Sequence, residues 1–276
     1  MRPIVPKHEL HVPPGHYYSP IPNWEDVRFA NENRGNTNLE GIELNPFQQM
    51  KLAHDWVEIY PQVLHWLNSQ TKKYTFDNTW FFGSDAICLT LLLVSQPPQK
   101  IIEVGAGYST ALIEDINQYW FNNEISILSI DPNLERAHSL NLSTEILETQ
   151  VQKVSFDVFS NLGAEDLLLI DSSHVLKTGS DVHYLFNHVL PHLAQGVKIH
   201  IHDIFFPFEY PASWLEENIA FNEAYALELL LRNSTKFKIL YWNDYLESTQ
   251  REWFETNMPE TLSRTYVTGG IWLQVL

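Results

Sequence analysis

Short apolar runs alternate with helically spaced segments along the last two thirds of the chain. The runs "KIIEV", "ISILSI", "EDLLLID" and "GVKIHIHD" are typical of strands buried on both faces, and "TQVQKVS" is a weaker candidate. Segments such as "ALIEDINQYW" and "SDVHYLFNHVLPHL" have helical spacing, and "FKILYW" and "GGIWLQVL" are strand candidates near the end. This alternation predicts an α/β fold, with a mostly parallel sheet and helices on both faces.

The first 75 residues have a different pattern. Residues 1–40 are rich in Pro, Asn, Gly and His, which predicts an extended arm and not a packed element. A helix is then predicted with Asn45 as N-cap and Pro46 at its first position, and Pro61 should kink or split it. We therefore expect an arm and helical extension over residues 1–75, a candidate lid, followed by the main domain over 76–276.

Composition narrows the class of protein and of partner. The chain has 276 residues, 44% of them hydrophobic, which is enough for one large domain with an appendage. Its net charge of −17 disfavours nucleic acid, and there is no basic amphipathic stretch for a membrane surface. The longest apolar run, "ICLTLLLV", is too short to span a bilayer, and the single cysteine, Cys88, leaves no internal disulfide framework. We expect a soluble cytoplasmic protein that acts on a small molecule; the sequence does not give its oligomeric state.

The segment "IIEVGAGYST" carries the strongest ligand-binding pattern. Gly105 and Gly107 follow a buried strand and precede a helix, where the backbone can approach a ligand and aim free N–H groups at it. A plain tight turn is the alternative. Glu103 would repel a pyrophosphate but suits a cationic ligand. Thr110 stands where an NAD-binding fingerprint has its third Gly or Ala, so both residues disfavour NAD.

Polar side chains end three of the predicted strands. Asp131 ends the second and could accept both hydroxyls of a ribose, or could simply terminate the strand or cap a helix. Asp171 ends "LLLID", and His202 and Asp203 end "VKIHIHD". Because the carboxyl ends of parallel strands share one edge of a sheet, we expect Asp171, His202 and Asp203 to converge there, with His174 close by.

Four segments together resemble the class I S-adenosylmethionine-dependent methyltransferases. These are "EVGAGYST", "SIDP", "LLLIDSSHVLKTGSDVHYLF" and "GVKIHIHDIFFPFEYP", and the resemblance covers about residues 76–276. It implies a Rossmann-like, seven-stranded sheet whose last strand is antiparallel, and S-adenosylmethionine as cofactor. It also implies that the glycine loop lies by the methionine part, Asp131 by the ribose and Gln152 by the adenine. The implied cofactor-binding residues are Glu103, Gly105, Ala106, Gly107, Tyr108, Ser109, Asp131, Gln152 and Asp171.

The resemblance predicts methyl transfer to a small molecule, with a hydroxyl oxygen as the expected acceptor. Three roles are open for the residues at the strand ends. His202 could be a general base held by Asp171 or Asp203. By analogy with some small-molecule O-methyltransferases, Asp171, His202 and Asp203 could instead bind a divalent metal, although imidazole suits Zn, Fe or Mn better than Mg. The third role is structural, with Asp171 and the serines capping the next helix.

Two aromatic segments are candidates for the acceptor pocket. "NTWFFGSDA" and "DIFFPFEYP" could form the acceptor pocket, and core packing is the alternative for each ring.

His188 and His192 are predicted to be surface or core side chains, and His200 to be structural. The rival functions are an NAD-dependent oxidoreductase and a catalytically silent binding protein with the same fold.

Overall fold

A seven-stranded sheet forms the centre of the molecule. The computed structural model describes residues 11–35, 38–69, 73–262 and 267–276. The strands are β1 (Lys100–Val104), β2 (Ser126–Ile130), β3 (Glu145–Leu147), β4 (Leu167–Ile170), β5 (Lys198–His202), β6 (Phe237–Trp242) and β7 (Gly270–Val275). Their order across the sheet is β3-β2-β1-β4-β5-β7-β6, and β7 runs antiparallel to both of its neighbours. The predicted fold class is therefore confirmed, including the antiparallel last strand.

The strand order reverses between β1 and β4. From β1 the chain builds outward through β2 and β3, then crosses to β4 and β5 on the other side. Val104 pairs in register with Ile130 on one side and Ile170 on the other, so the carboxyl ends of these strands are level. Open α/β sheets bind ligands in the crevice at such a switch point.

Helices cover both faces of the sheet. They are α1 (Trp24–Asn33), α2 (Pro46–Trp56), α3 (Tyr60–Leu67), α4 (Gly83–Ser95), α5 (Tyr108–Phe121), α6 (Glu135–Ser139), α7 (Phe156–Ser160), α8 (Asp181–Tyr184), α9 (Ala212–Glu216), α10 (Glu223–Leu231), α11 (Asn243–Thr249) and α12 (Arg251–Asn257). Two buried apolar clusters lie on opposite faces: Ile102 and Val104 belong to one, and Ile101 to the other. This alternation is what a strand buried on both faces requires.

The helical extension packs against the main domain. Gln49 in α2 accepts a hydrogen bond from the backbone N–H of Trp242 at 2.7 Å, and the indole N–H of Trp56 donates to Ser95 at 3.0 Å. Asn45 and Pro46 start α2 as predicted, although the Asn45 side chain makes no capping bond. The predicted helix is split, because α2 ends before α3 begins with Pro61 in its first turn, where no N–H is required.

Three predictions about secondary structure are wrong. The arm contains a helix, α1, which Asn23 caps by accepting the N–H groups of Glu25 and Asp26. "TQVQKVS" is not a strand: β3 precedes it, and Val151–Lys153 forms a 3₁₀ turn. The long helix predicted after β4 breaks into α8, a π turn and a 3₁₀ turn at Pro191, which cannot donate a backbone hydrogen bond. In the ranges that the structure describes, no helix has the length and hydropathy to cross a membrane.

Candidate active site

A cavity of about 820 Å³ opens at the carboxyl ends of β1, β2, β4 and β5. Its volume lies in the range of small-molecule sites. Of the predicted site residues, it is lined by Gly105, Ala106, Gly107, Tyr108, Asp131, Gln152, Asp171, His174, His202 and Asp203. The first lining residue along the chain is Thr79, so no described residue of the extension contributes, and its role as a lid remains a prediction.

The glycine loop is fixed by its own hydrogen bonds. Gly105 has φ of +101°, and a Cβ there would lie 1.9 Å from the carbonyl oxygen of Asp171, so only glycine fits. The N–H groups of Gly105, Ala106 and Gly107 donate to the Ile130 carbonyl, the Asp131 carboxylate and the Thr110 hydroxyl, respectively. The expectation that this loop aims free N–H groups at a ligand is therefore wrong for these three.

Glu103 lies behind the loop and not in the cavity. Its fully buried carboxylate accepts hydrogen bonds from the hydroxyls of Ser109, Thr110 and Ser129, at 2.7, 2.6 and 2.8 Å. Burial raises the pKa of Glu103 to about 7, although the three hydroxyls act to lower it. Glu103 and Ser109 are both predicted to contact the cofactor, but neither lines the cavity. Their side chains bond to each other instead and so join β1 to the start of α5.

Asp131 and Gln152 do reach the cavity. One carboxylate oxygen of Asp131 accepts the N–H of Ala106 at 2.8 Å, and the other accepts the N–H of Asn133 at 2.7 Å. Each oxygen keeps a second lone pair, so ribose hydroxyls can still bind. The Gln152 side chain donates to the Gly179 carbonyl at 2.8 Å, which ties the predicted adenine side of the cavity to the loop after β4.

Imidazole and carboxylate groups converge at the ends of β4 and β5. His174 Nδ1 lies 3.0 Å from Glu223 Oε2, and His174 Nε2 lies 3.5 Å from both Asp171 Oδ1 and Asp203 Oδ2. His174 is thus bracketed by carboxylates on both ring nitrogens. Burial would lower its pKa, but the bonds to Asp171 and Glu223 raise it well above 6.5. We infer that His174 is an imidazolium that holds Asp171 and Asp203 side by side.

His202 makes fewer close contacts with carboxylates than His174 does. Its Nε2 lies 3.5 Å from Asp203 Oδ1, and its Nδ1 lies 4.0 Å from Asp85 Oδ2, too far for a hydrogen bond. Nδ1 has no hydrogen-bond partner among the described residues. Burial acts to lower the pKa of His202, but Asp203, Asp171 and Asp85 together raise it above 6.5.

The carboxyl groups of this cluster differ in their pKa values. Burial would raise the pKa of Asp171, but the neighbouring His202 and His174 hold it at about 2. Burial raises the pKa of Asp85 to about 6, against the lowering effect of His202. Burial also raises the pKa of Asp203 and of Glu223. His174 and Asp203 have φ of +57° and +56°, a left-handed conformation that costs energy in residues other than glycine and is often found at functional sites.

The geometry bears differently on the three roles that the sequence leaves open. Helix α8 is capped by Ser180, which accepts the N–H of His183, and not by Asp171, although Ser173 donates its hydroxyl to the Asp181 carboxylate in the first turn of α8. Within the described ranges, no group of three His, Cys, Asp or Glu side chains has an arrangement that could hold a metal ion, so the ligand set Asp171, His202 and Asp203 is not supported. The remaining role, His202 as a general base beside carboxylates, is consistent with its contacts and stays a prediction.

The aromatic lining comes from only one of the two predicted segments. Trp80, Phe81 and Phe82 of "NTWFFGSDA" line the cavity. The rings of "DIFFPFEYP" do not: Phe205, Phe208 and Tyr210 are buried in the apolar core, and Trp214 and Phe221 line the cavity instead. His200 is buried against Trp272, with ring centroids 4.2 Å apart, as its structural assignment predicts.

Sequence reasoning missed several residues of the site. Asp85 lies in the segment "NTWFFGSDA", which the sequence predicts as part of the site only through its aromatic rings. An aspartate in the first turn of a long apolar helix could have marked it as a candidate site residue. Glu223 belongs to α10, and nothing in its local sequence points to His174, 49 positions away. Arg136 and Trp80 meet across the cavity, with the guanidinium carbon 3.9 Å from the ring centroid. Such contacts depend on tertiary structure and have no local pattern.

The charge of the lining fits the cofactor that the resemblance implies. Among the described residues, five aspartates line the cavity, namely Asp85, Asp131, Asp171, Asp181 and Asp203, and the basic side chains of the lining are Arg136, Lys177, His174 and His202. Such a surface favours a ligand with a sulfonium and an ammonium group and disfavours a pyrophosphate.

Comparison with known proteins agrees with this chemistry. The profile of a methyltransferase domain family matches residues 102–204. An uncharacterized protein of Archaeoglobus fulgidus is 30% identical over 163 residues, which are 54% of this chain and 73% of that protein.

Solved structures with a similar fold include two methyltransferases. One, from Podospora anserina with bound S-adenosylhomocysteine, is 12% identical, with a TM-score of 0.45 over 92% of this chain and 97% of that one. The other, an O-methyltransferase of tomaymycin synthesis from Streptomyces achromogenes in complex with S-adenosylmethionine, is 10% identical, with a TM-score of 0.45 over 92% and 96%. From the matched domain profile, the archaeal relative and the sheet order, the chain belongs to the class I S-adenosylmethionine-dependent methyltransferases.

Proposed function

We propose that the protein transfers a methyl group from S-adenosylmethionine to a hydroxyl oxygen of a small molecule, with His202 as the general base. The observation that carries this proposal is an imidazole on the cavity wall with a carboxylate oxygen, Asp203 Oδ1, 3.5 Å from its Nε2. S-adenosylmethionine supplies the electrophilic methyl group. The protein must then align the acceptor and remove its proton.

Three parts of the cavity support the placement of the cofactor. Asp131 offers carboxylate lone pairs to the ribose, and Gln152 lies on the side assigned to the adenine. The acidic lining suits the positive charge of the sulfonium. His202, at the carboxyl end of β5, lines the same cavity and would be available to an acceptor bound beside the cofactor.

The carboxylates around His202 support its role as a base. A base that takes a proton becomes an imidazolium, which Asp203 at 3.5 Å and Asp85 at 4.0 Å stabilise. Asn243 fixes Asp85 by donating to its Oδ1 at 2.7 Å. His174 is less suited to the task, since its Nδ1 is engaged by Glu223 at 3.0 Å and its Nε2 lies 3.5 Å from two carboxylates, Asp171 and Asp203.

The apolar side of the cavity indicates the shape of the acceptor. Trp80, Phe82, Trp214 and Phe221 line the cavity that also contains the His202 cluster, which consists of Asp85, Asp171, His174, His202 and Asp203. Aromatic side chains suit a flat, ring-shaped or apolar acceptor and exclude water around the reacting atoms. The aspartates nearby disfavour an acceptor with a negative charge.

A transfer assay with methyl-labelled S-adenosylmethionine tests the proposal. A panel of uncharged phenols and alcohols, with matched amines, is offered to the parent and to His202→Gln. We expect the label in a hydroxyl compound, and a rate about 10²–10⁴-fold lower in His202→Gln with little change in cofactor affinity. The parent rate should rise with pH through a midpoint above 6.5, because the surrounding carboxylates raise the pKa of His202.

Other results would favour other functions. Label found only in amines would overturn the hydroxyl acceptor, and an unchanged rate in His202→Gln would remove it as the base. Activity abolished by a chelator and restored by Mn or Zn would return Asp171, His202 and Asp203 to a metal site. Calorimetry that detects NAD but not S-adenosylmethionine would support the oxidoreductase, and cofactor binding without transfer to any acceptor would support a silent binding protein.

A further inference from the structure

The acidic cavity leaves one part of the cofactor without an evident partner. The methionine tail of S-adenosylmethionine carries an ammonium and a carboxylate. The five lining aspartates favour the ammonium and the sulfonium, but they repel the carboxylate. A carboxylate in this setting needs a cationic side chain. The cationic groups of the described lining, outside the two histidines of the His202 cluster, are Arg136 and Lys177.

Arg136 lies at the end of the cavity that the glycine loop forms. A Cβ on Gly107 would lie 3.0 Å from Arg136 Cδ and 3.7 Å from its Nη1, so the guanidinium lies against the first turn of α5. This is the loop that the resemblance assigns to the methionine part. Lys177 lies elsewhere: it is two residues from Gly179, whose carbonyl binds Gln152 on the adenine side.

The Arg136 guanidinium is held in place but keeps its donors. It stacks on Trp80, with 3.9 Å from its central carbon to the ring centroid. Stacking uses the face of the guanidinium and leaves the N–H groups at its edge available. In the described part of the chain, no side-chain hydrogen bond or ion pair engages Arg136.

Trp80 is presented by a hydrogen-bonded turn. The Asn78 side chain accepts the N–H groups of Trp80 and Phe81, at 2.9 and 2.8 Å, and donates to the carbonyls of Thr75 and Phe81, at 2.8 and 2.9 Å. Trp80 is nevertheless 57% exposed, although large aromatic side chains are usually buried. Trp80 is thus an exposed ring that its turn holds in place and that lies against the Arg136 guanidinium. This arrangement indicates that Trp80 positions Arg136.

We propose that Arg136 binds the α-carboxylate of the cofactor's methionine tail and that Trp80 positions its guanidinium. The inference rests on the proposed use of S-adenosylmethionine and adds the residue that recognises its tail. An arginine presents paired N–H donors that match the two carboxylate oxygens. Arg136 therefore distinguishes the amino-acid form of the cofactor from forms without the carboxylate.

Calorimetry with two ligands tests the inference. Decarboxylated S-adenosylmethionine keeps the sulfonium and the amine and lacks only the carboxylate. We expect the parent to bind S-adenosylmethionine about 10- to 100-fold more tightly than the decarboxylated ligand. Arg136→Gln should lose about that factor for S-adenosylmethionine and change the affinity for the decarboxylated ligand by less than about threefold. Trp80→Leu should show a smaller loss, about two- to fivefold, for S-adenosylmethionine alone.

Lys177→Gln is the matched control, because it removes one positive charge from the same lining. We expect it to leave the preference for the carboxylate within about twofold, since its contribution is long-range and screened. Equal losses in Arg136→Gln and Lys177→Gln, or equal losses for both ligands, would overturn the local contact. A parent that binds neither ligand would refute the proposed function, whereas tight binding of S-adenosylmethionine by Arg136→Gln would refute only the role of Arg136.

Discussion

At the scale of single residues, Asp131 combines a structural and a proposed binding role. Its two oxygens hold the N–H groups of Ala106 and Asn133, which fixes the glycine loop to the end of β2. The sequence offered a ribose ligand and a strand terminator as alternatives. The two backbone contacts of Asp131 at the end of β2 agree with the terminator role. Asp131 also lines the cavity, so a ribose contact stays a prediction.

Asp131→Ala should weaken the binding of S-adenosylhomocysteine about 10- to 100-fold. The variant loses charge-assisted hydrogen bonds to the ribose of roughly 1.5–3 kcal/mol, together with the loop anchor. Calorimetry measures the affinity, and a thermal melt separates a general loss of stability from a loss of binding. Asp131→Asn, which keeps an acceptor for the Ala106 N–H, should recover the melt more than the affinity. If the dissociation constant were unchanged in both variants, Asp131 would be a loop anchor only.

The residues that could be predicted are those with a local signal. Gly105 follows from a strand–glycine–helix pattern, and the structure shows why, since any Cβ would collide with Asp171. Glu103 has the same local signal, but its side chain is buried behind the loop by three hydroxyls that the pattern does not reveal. Glu223 reaches His174 only through the fold, so no local pattern could identify it.

At the scale of elements, buried strands were predictable and segments bounded by weak signals were not. β4 is a continuous apolar run, and β1 and β5 carry apolar residues at most or alternate positions and are buried almost throughout, as the central strands of a covered sheet are. β3 has only three residues, and its hydrophobic pattern is too short to detect. α1 depends on its cap and on packing against α9, because it buries only Val27. Its sequence therefore resembles that of an exposed arm.

Helix α8 provides an element-scale test of how the loop after β4 is held. Ser180 accepts the N–H groups of His183 and Lys177, both at 3.1 Å, and so closes the turn before the helix. Ser180→Ala should lower the free energy of unfolding by about 0.5–2 kcal/mol, as a lost N-cap does.

Ser139→Ala is the control for the Ser180 variant. The Ser139 hydroxyl also bonds the backbone, donating to the Arg136 carbonyl at 2.8 Å, but it is exposed at the end of α6 and caps no helix start. Its loss should cost less than about 0.5 kcal/mol in denaturant unfolding. Equal effects of the two variants would show that the Ser180 cap does not hold the loop.

At the scale of the whole molecule, the sheet brings separate acidic positions into one region. The strand order places the ends of β1, β4 and β5 side by side, so residues far apart in sequence share one cavity. Some of the acidic residues that give the chain its net charge of −17 therefore line the cavity as aspartates. The overall class was predictable because it needs only the order of strands and helices, whereas the contacts within the cluster need their exact register.

Buried carboxyl groups should give the whole molecule a characteristic pH dependence. Burial raises the pKa of Glu103 from 4.5 to about 7, and those of Asp85 and Asp244 from 3.8 to about 6. A carboxyl group with a raised pKa binds its proton more readily in the folded than in the unfolded chain. Its stabilising contribution is complete below the unfolded pKa and is lost as the pH rises through the folded pKa. His200 acts in the opposite sense, because burial lowers its pKa to about 3 and its contribution is lost as the pH falls below 6.5.

We therefore expect the free energy of unfolding to decrease as the pH rises from about 4.5 to about 7, with Glu103 as a main contributor. One pKa unit corresponds to about 1.36 kcal/mol, so the shift of Glu103 corresponds to roughly 3 kcal/mol across this window. Glu103→Gln removes the titrating proton and keeps a polar group facing the three hydroxyls. Urea unfolding at about pH 5 and about pH 8 should show a large loss of stability in the parent and a smaller loss in Glu103→Gln. The same loss in both proteins would mean that Glu103 remains ionised throughout, held by Ser109, Thr110 and Ser129 as a buried carboxylate, and that the pH dependence arises from the other buried acids.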